Sequence, residues 1–209
     1  MMKIGAQNHA IRDELRTRTR DVHEKLHEHS LFVDLFNGTI APQQYFSLMK
    51  AFHGFYAPME QAIDRALSQD PRGNSSFVYV KRTNLLTQDL LDLGHKPGDV
   101  DQNRTCGRIA EAVTPQSLAG VLYVIEGSTL GAAQIDRAAQ RLLQSDKTHG
   151  RQFWAWSREN NKSRWEMINR YLLELEKAAH PVDAIIQGAN DTFQALADWL
   201  APLDQPHKV

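Results

Sequence analysis

The amino-acid sequence predicts an all-α protein, a single-domain bundle of six to eight helices with short connections. Apolar residues recur at helical spacing along most of the chain. The best strand candidate, residues 76–80, is so short that it is equally consistent with a turn of buried helix. A length of 209 residues suits one domain with a substantial core. We therefore expect residues 1–209 to form one folding unit with flexible ends at 1–9 and 203–209.

The first half of the chain is predicted to hold three helices. The first covers about residues 10–29, where apolar and small side chains form one stripe at helical spacing. Pro42 begins the second, which carries an aromatic face and has Pro58 near its middle. The third is predicted over residues 76–93, because Gly94 is a good stop signal after that apolar stretch.

The second half is predicted to hold three more long helices. Thr114 as N-cap and Pro115 as the first helical residue mark the start of one that should run to about Leu143. The last two cover roughly residues 150–178 and 182–201, and a His-Pro pair divides them. No internal repeat or linker interrupts the series, so the helices are expected to pack around one core.

Charge and cysteine content narrow the class of protein. The 24 basic and 25 acidic residues are interspersed, with a net charge of −1, so no basic stripe indicates nucleic-acid binding. Cys106 is the only cysteine, which excludes an internal disulfide and suits a reducing compartment. No apolar run approaches the roughly 18–20 residues that span a bilayer, and the N-terminus has no signal pattern. We expect a soluble cytoplasmic protein without nucleic-acid or membrane partners.

The segment from Tyr123 to Gln134 is the most informative stretch of the chain. It has the composition of a helix, yet Gly127 and Gly131 lie one turn apart within it. A glycine inside a helix costs about 1 kcal/mol relative to alanine. Two on one face indicate a backbone that a flat ligand approaches closely, or a helix that bends. Close packing against a second helix is the alternative.

A histidine near the N-terminus is the best metal-ligand candidate. His23 lies at the edge of the apolar stripe of the first helix, with Arg16 and Arg20 on roughly the same side. An imidazole beside cations suits a metal complex that also carries carboxylates, which describes heme and its propionates. The alternatives are a structural role for His23, or ligation by His27 or His53 instead.

Other metal and nucleophile chemistry has weaker support. Glu24 and His27 form one Glu-x-x-His motif, but a carboxylate-bridged di-iron bundle needs two such motifs and two more glutamates. Cys106 is the one candidate nucleophile, and no base partner can be assigned to it from the sequence.

Two motifs together resemble the bacterial heme oxygenase family. The first is Leu15-Arg-Thr-Arg-Thr-Arg-Asp-Val-His23, and the second, a hundred residues later, is Tyr123-Val-Ile-Glu-Gly-Ser-Thr-Leu-Gly131. The second motif is typical of the subgroup with a Glu-Gly-Ser-Thr-Leu-Gly distal helix, meaning the helix on the heme face opposite the iron-ligating histidine. The resemblance extends over nearly the whole chain in length and helix order.

The resemblance implies roles for individual residues. His23 would be the iron ligand, and Gly127, Ser128 and Gly131 would be the catalytic positions of the distal helix. The remaining expected cofactor-binding residues are Tyr123, Arg16 and Arg20, with a second propionate partner to come from Arg151, Arg164 or Arg170. Many members have Asp where this chain has Ser128, glycine at the position of Ala132, and Glu at the position of His27.

The resemblance also implies an activity. The chain would be an enzyme that cleaves heme at a meso carbon to biliverdin, CO and ferrous iron, with O2 and electrons from a separate reductase or ferredoxin. Iron acquisition and chromophore supply to a bilin-binding photoreceptor both suit these products. The alternatives are a heme-binding storage, transfer or sensor protein, a helical hydrolase that uses Cys106, and a structural helical protein.

Overall fold

Helices make up all the regular structure in the part of the chain that the computed structural model describes, residues 10–69 and 77–204. The bounds of the helices are α1 Ala10–Arg18, α2 Arg20–His27, α3 Ser30–Asn37, α4 Pro42–Ser68, α5 Thr83–Asp92, α6 Pro97–Val100, α7 Gly107–Ala112, α8 Leu118–Ser128, α9 Ala132–Leu143, α10 Gln152–Lys177 and α11 Val182–Leu200. Two 3-10 helices lie at Thr129–Gly131 and Ala201–Leu203. The all-α prediction is therefore confirmed. The described residues hold more helices than the six to eight predicted, because bends divide several predicted helices and short ones fill the connections.

The predicted helix 10–29 is divided into α1 and α2 at Thr19. The hydroxyl of Thr19 donates to the carbonyl of Leu15 at 2.7 Å, a back-bond that bends helices. The backbone ladder nevertheless continues, since the N–H of His23 still donates to the carbonyl of Thr19 at 3.1 Å. The chain then turns at His29, whose ring accepts from the N–H of Leu31 and caps α3. His23 thus lies on its own short helix after a bend.

Pro58 lies inside α4 and leaves one carbonyl of that helix without its usual donor. That carbonyl belongs to Gly54, four residues earlier, and it accepts from the backbone N–H of Cys106 at 2.8 Å. A Cβ on Gly54 would overlap the carbonyl oxygen of Arg104. A proline and a glycine one turn apart therefore let the segment before α7 cross directly over α4.

The helix predicted over 76–93 is wrong in its first part. Residue 76 lies outside the described residues, and residues 77–82 are irregular up to the start of α5 at Thr83. The carboxylate of Glu60 on α4 accepts from the N–H of Arg82 at 2.6 Å and from the hydroxyl of Thr83 at 2.6 Å. This carboxylate satisfies donors at the start of α5 and fixes where the helix begins. Gly94 ends the helical region at φ +92°, as predicted.

The helix predicted to begin at Pro115, with Thr114 as N-cap, starts three residues later. Thr114 and Ser117 exchange hydrogen bonds, in which each hydroxyl accepts the other residue's backbone N–H, and α8 begins after this turn at Leu118. From there the helical run reaches Leu143 as predicted, through one 3-10 turn. The two last helices, α10 and α11, are divided at the His-Pro pair as expected.

Helix α8 lies in the core, and its backbone packs directly against the backbone of α11. A Cβ on Gly120 would overlap the carbonyl oxygen of Ile185, and a Cβ on Gly188 would overlap that of Ser117. The combined stretch Leu118–Leu143 is apolar and long enough to cross a membrane, but more than half of its most apolar part is buried inside the protein. Core helices often have this composition, so the stretch is weak support for a membrane span.

Most of the two predicted flexible ends lies outside the described residues. Two residues of the C-terminal end are described. Leu203 ends the second 3-10 helix, and the carboxylate of Asp204 accepts from the backbone N–H of Ser30 at 3.0 Å.

Candidate functional site

Two glycines of the predicted distal segment are not required for packing within the described chain. A Cβ on Gly131 would have no described atom within 4 Å, and one on Gly127 would meet only the ring of Trp165, at 3.4 Å. This contrasts with Gly120, about two helical turns before Gly127, which α11 covers. The alternative that these two glycines serve close helix packing is therefore not supported. They leave bare main chain that a flat group can approach.

The bend between α8 and α9 is fixed by side chains that bond back to the helix. Ser128 donates its hydroxyl to the carbonyl of Ile125 at 2.7 Å, and Thr129 donates to that of Glu126 at 2.6 Å. The buried Tyr56 of α4 lies within hydrogen-bonding reach of Ser128. Ser128 is exposed, so its oxygen faces both the interior network and the surface beside Gly131.

A buried ionic cluster lies behind the distal segment, and sequence reasoning missed it. Glu126 is fully buried between two arginines, Arg82 and Arg164. Arg164 donates to its two carboxylate oxygens at 2.5 and 3.1 Å and to the carbonyl of Val78 at 2.9 Å. Burial alone would lower the pKa of Arg82, but Glu126 raises it. The signal in the sequence was a glutamate within a helix that is otherwise apolar.

Two of the three arginines predicted to contact a propionate pair with buried carboxylates instead. Arg164 belongs to the Glu126 cluster. Arg151 donates to Asp136 of α9 at 2.6 Å, and Arg158 pairs with the same carboxylate. Their guanidinium groups are buried and held by carboxylates that join α10 to α8 and α9, and each carboxylate is shared between two arginines. Arg170 is the third candidate, and its side chain is exposed on α10.

His23 lies on α2 with its imidazole more exposed than buried. Its Nε2 is 3.3 Å from Nε2 of His27, and its ring edge contacts the ring of Phe193 on α11, with centroids 5.6 Å apart. Partial burial, followed by the proximity of His27, lowers the pKa of His23. The ring is therefore neutral at pH 7, the form that binds a metal.

Cations and aromatic rings border the space between α1 and the distal segment. Tyr123 of α8 packs against Trp165 of α10 with centroids 5.6 Å apart. Burial raises the pKa of Tyr123, while the nearby charges of Arg12 and Arg16 lower it. The structure thus brings predicted residues Arg16, Tyr123 and Gly127 together. It adds Arg12, whose position one turn before Arg16 is a signal that could have been used.

The arrangement has the chemical character of a heme site. Helix α11 contacts α2, where Phe193 meets the ring of His23, and it contacts α8 at Gly120. The bare backbone at Gly127 lies further along α8, beside Trp165 of α10. Arg16 of α1 and Arg20 of α2 are exposed cations, and Arg16 lies close enough to Tyr123 to affect its pKa. An imidazole, apolar rings, uncovered main chain and surface cations match the iron, the flat macrocycle and the two carboxylates of heme.

Cys106 has no role in such a site. It is buried, and it precedes α7 with its backbone bonded to α4. A nucleophilic thiol needs access to substrate and an activating neighbour, so the structure does not favour the hydrolase alternative.

Three solved bacterial structures have the same all-α fold as this chain. Heme oxygenase from Leptospira interrogans has a TM-score of 0.76 and 18% identity, over 92% of this chain and 99% of that one. Heme oxygenase-1 from the cyanobacterium Synechocystis, in complex with heme, has a TM-score of 0.75 and 17% identity, over 92% and 91%. Heme oxygenase-2 from Synechocystis, in complex with heme and NO, has a TM-score of 0.71 and 16% identity, over 92% and 84%.

Sequence comparison assigns the family. The heme oxygenase family model matches residues 9–201, nearly the whole chain, so this protein belongs to the heme oxygenase family. No curated protein sequence matches it.

Proposed function

We propose that this chain is an active heme oxygenase, which binds heme and cleaves it at a meso carbon to biliverdin, CO and ferrous iron. One observation carries the proposal: the main chain at Gly127 and Gly131 is left uncovered on the segment that also holds Tyr123, beside the cations of α1, and α1 leads directly to the exposed imidazole of His23. The reaction consumes O2 and electrons from an external reductase or ferredoxin. We extend the proposal to the cytoplasm as its location and to residues 1–209 as one functional domain.

His23 is the proposed iron ligand. Its ring is accessible, and its lowered pKa favours the neutral imidazole, which has a nitrogen lone pair for the iron. Phe193 contacts the ring edge and limits its rotation. A neutral imidazole donates little electron density to iron, whereas a thiolate favours O–O cleavage. The heme supplies the iron that activates O2 and the meso carbon that is oxidised.

The distal glycines are proposed to set how closely the macrocycle approaches the helix. With no Cβ at Gly127 or Gly131, main-chain atoms form this wall, and Trp165 closes its side. Ser128 takes the place that Asp has in many members. Its hydroxyl, already directed by the carbonyl of Ile125, can accept a hydrogen bond and orient water there.

The propionates are proposed to lie among the surface cations. Arg16 is the first partner, supported by its charge beside Tyr123, with Arg20 of α2 nearby in sequence. Arg170 is the second, because Arg151 and Arg164 are buried and already bonded to Asp136 and Glu126. Arginine suits this role through its paired donors.

The test is His23→Ala, with His149→Ala, an exposed loop histidine, as the matched control. We expect His23→Ala to keep its circular dichroism spectrum, to lose the sharp Soret band of a ligated heme, and to produce no biliverdin from heme, O2 and an electron donor. The control should match the wild type.

Two outcomes would change the proposal. Heme binding without bilin formation by the wild type would indicate a storage, transfer or sensor protein. An unchanged Soret band in His23→Ala would move the ligand to another histidine. Chromatography of any bilin formed identifies the meso carbon and shows whether the product suits a bilin-binding photoreceptor.

A further inference from the structure

We propose that His23 and His27 form a chelating site for a divalent transition metal, Zn²⁺ or Cu²⁺, on the heme-free protein. The two side chains are one helical turn apart on α2 and point to the same place, with their Nε2 atoms 3.3 Å apart. The metal site itself is independent of the proposed function. Its consequence, that the metal competes with heme for His23, rests on that function.

The distance between the two nitrogens fits a tetrahedral ion. With zinc–nitrogen bonds of about 2.0–2.1 Å, nitrogens 3.3 Å apart subtend roughly 104–111° at the metal. Neutral imidazoles are good ligands for zinc and copper. In the metal-free protein one Nε2 donates to the other, so an ion that binds both replaces a single hydrogen bond.

Both rings are exposed, so an ion can reach them from solvent and water can complete its coordination. Within residues 10–69 and 77–204 no group of three or more His, Cys, Asp or Glu side chains is arranged to hold a metal. The site therefore has two protein ligands and is an exchangeable one, weaker than a structural zinc site with four. Ferrous iron stands below zinc and copper in divalent affinity, so released iron should occupy it least.

Heme and metal cannot share His23. Iron ligation uses the lone pair of Nε2, the same one that the chelated ion needs, and a bridge to His27 holds the ring toward its own helix. Free zinc should therefore raise the apparent dissociation constant for heme. This makes heme loading sensitive to transition metals.

The direct experiment is calorimetric titration of the heme-free, tag-free protein with ZnCl₂, compared with His27→Gln, His23→Ala and the control His149→Ala. We expect one zinc site in the wild type and the control, with affinity lowered about tenfold or more in each α2 variant. Mg²⁺, which prefers oxygen ligands, should not bind. No zinc binding by the wild type, or equal affinity in His27→Gln, would overturn the site.

A second titration tests the competition. Heme is added with and without zinc, and the Soret band is followed for the wild type and His27→Gln. We expect zinc to weaken heme binding to the wild type, while the heme affinity of His27→Gln, whatever its value, becomes independent of zinc. Zinc binding without any effect on heme would overturn the competition. Failure of the wild type to bind heme at all would reject the proposed function and leave the calorimetric result standing.

Discussion

The two helices that carry the candidate site differ in how they are held. Eight of the eleven residues of α8 are buried, from Leu118 to Glu126. All eight residues of α2 lie in the described range, and none is buried. The distal wall is thus part of the core and keeps its shape without a ligand. The helix with His23 is held by partly buried Val22 and Leu26, so we infer that it opens at lower free energy.

This difference suits the two tasks. Main chain that sets an approach distance must be fixed before the ligand arrives, because any movement would change that distance. An imidazole that leaves one partner, His27, for another must instead be free to reorient. The buried ionic cluster around Glu126 is the firmly held extreme of the candidate site, and the exposed pair of His23 and His27 on α2 is the loosely held one.

The largest expected effect comes from comparing the removal of a buried glutamate, Glu126 of α8, with the removal of an exposed one, Glu24 of α2. Glu126→Ala leaves Arg82 and Arg164 buried without their shared counter-charge, and we expect a loss of about 3–5 kcal/mol in the free energy of unfolding. Glu24→Ala, the matched change on the exposed surface of α2, should stay within about 0.5 kcal/mol. Urea denaturation measures both. Similar losses in the two variants would contradict the contrast between the walls.

A pH experiment gives the next effect. Burial raises the pKa of Asp89 to about 7, although the N–H groups of Gln152 and Phe153 at the start of α10 oppose the shift. The folded protein then holds a proton that the unfolded chain has lost. Asp89 therefore makes the protein less stable as the pH rises. Its contribution lowers the free energy of unfolding by at most about 4 kcal/mol between about pH 4 and pH 7.

The variant Asp89→Asn isolates this contribution. The difference in unfolding free energy between wild type and variant should change across that pH window, and a constant difference would show that Asp89 does not titrate there. His23→Ala should hardly alter the pH dependence, because the ring of His23 is more exposed than buried.

The smallest expected change in stability comes from replacing either of two glycines in the run Leu118–Leu143 by alanine. Gly120→Ala forces a Cβ into the carbonyl of Ile185, so we expect a loss of about 1–3 kcal/mol. Gly131→Ala meets nothing within 4 Å and should be neutral or stabilising by up to about 1 kcal/mol, yet it should slow bilin formation. Thermal unfolding and turnover are measured together. Full activity in Gly131→Ala would remove the distal role of this position.

The helix boundaries that depend on local signals could be predicted from the sequence. Pro42 begins α4, and the positive φ of Gly94 ends the helical region after α5. Residues 77–82 could not be predicted, because their irregular path depends on Glu60, about twenty positions earlier in the chain. Apolar periodicity reports burial and does not register such a distant hydrogen-bond acceptor.

The same division applies to the candidate site. His23 and the glycines are identified by position on a helix, a local property. The three later arginines looked equivalent in the sequence, and only the fold distinguishes them, since Arg164 finds Glu126 across 38 positions and Arg151 finds Asp136 across 15. Charge alone does not reveal whether a partner is present.

Pro58 has a consequence for engineering. Judged by helix propensity it is a defect of about 3 kcal/mol, and replacement by alanine would improve α4 as an isolated peptide. In the folded protein, however, the new amide would compete for the carbonyl of Gly54, to which the chain at Cys106 is fastened. Optimising α4 by itself would therefore loosen the segment before α7 that crosses it. The proline that weakens α4 is what leaves the carbonyl of Gly54 free to hold that segment.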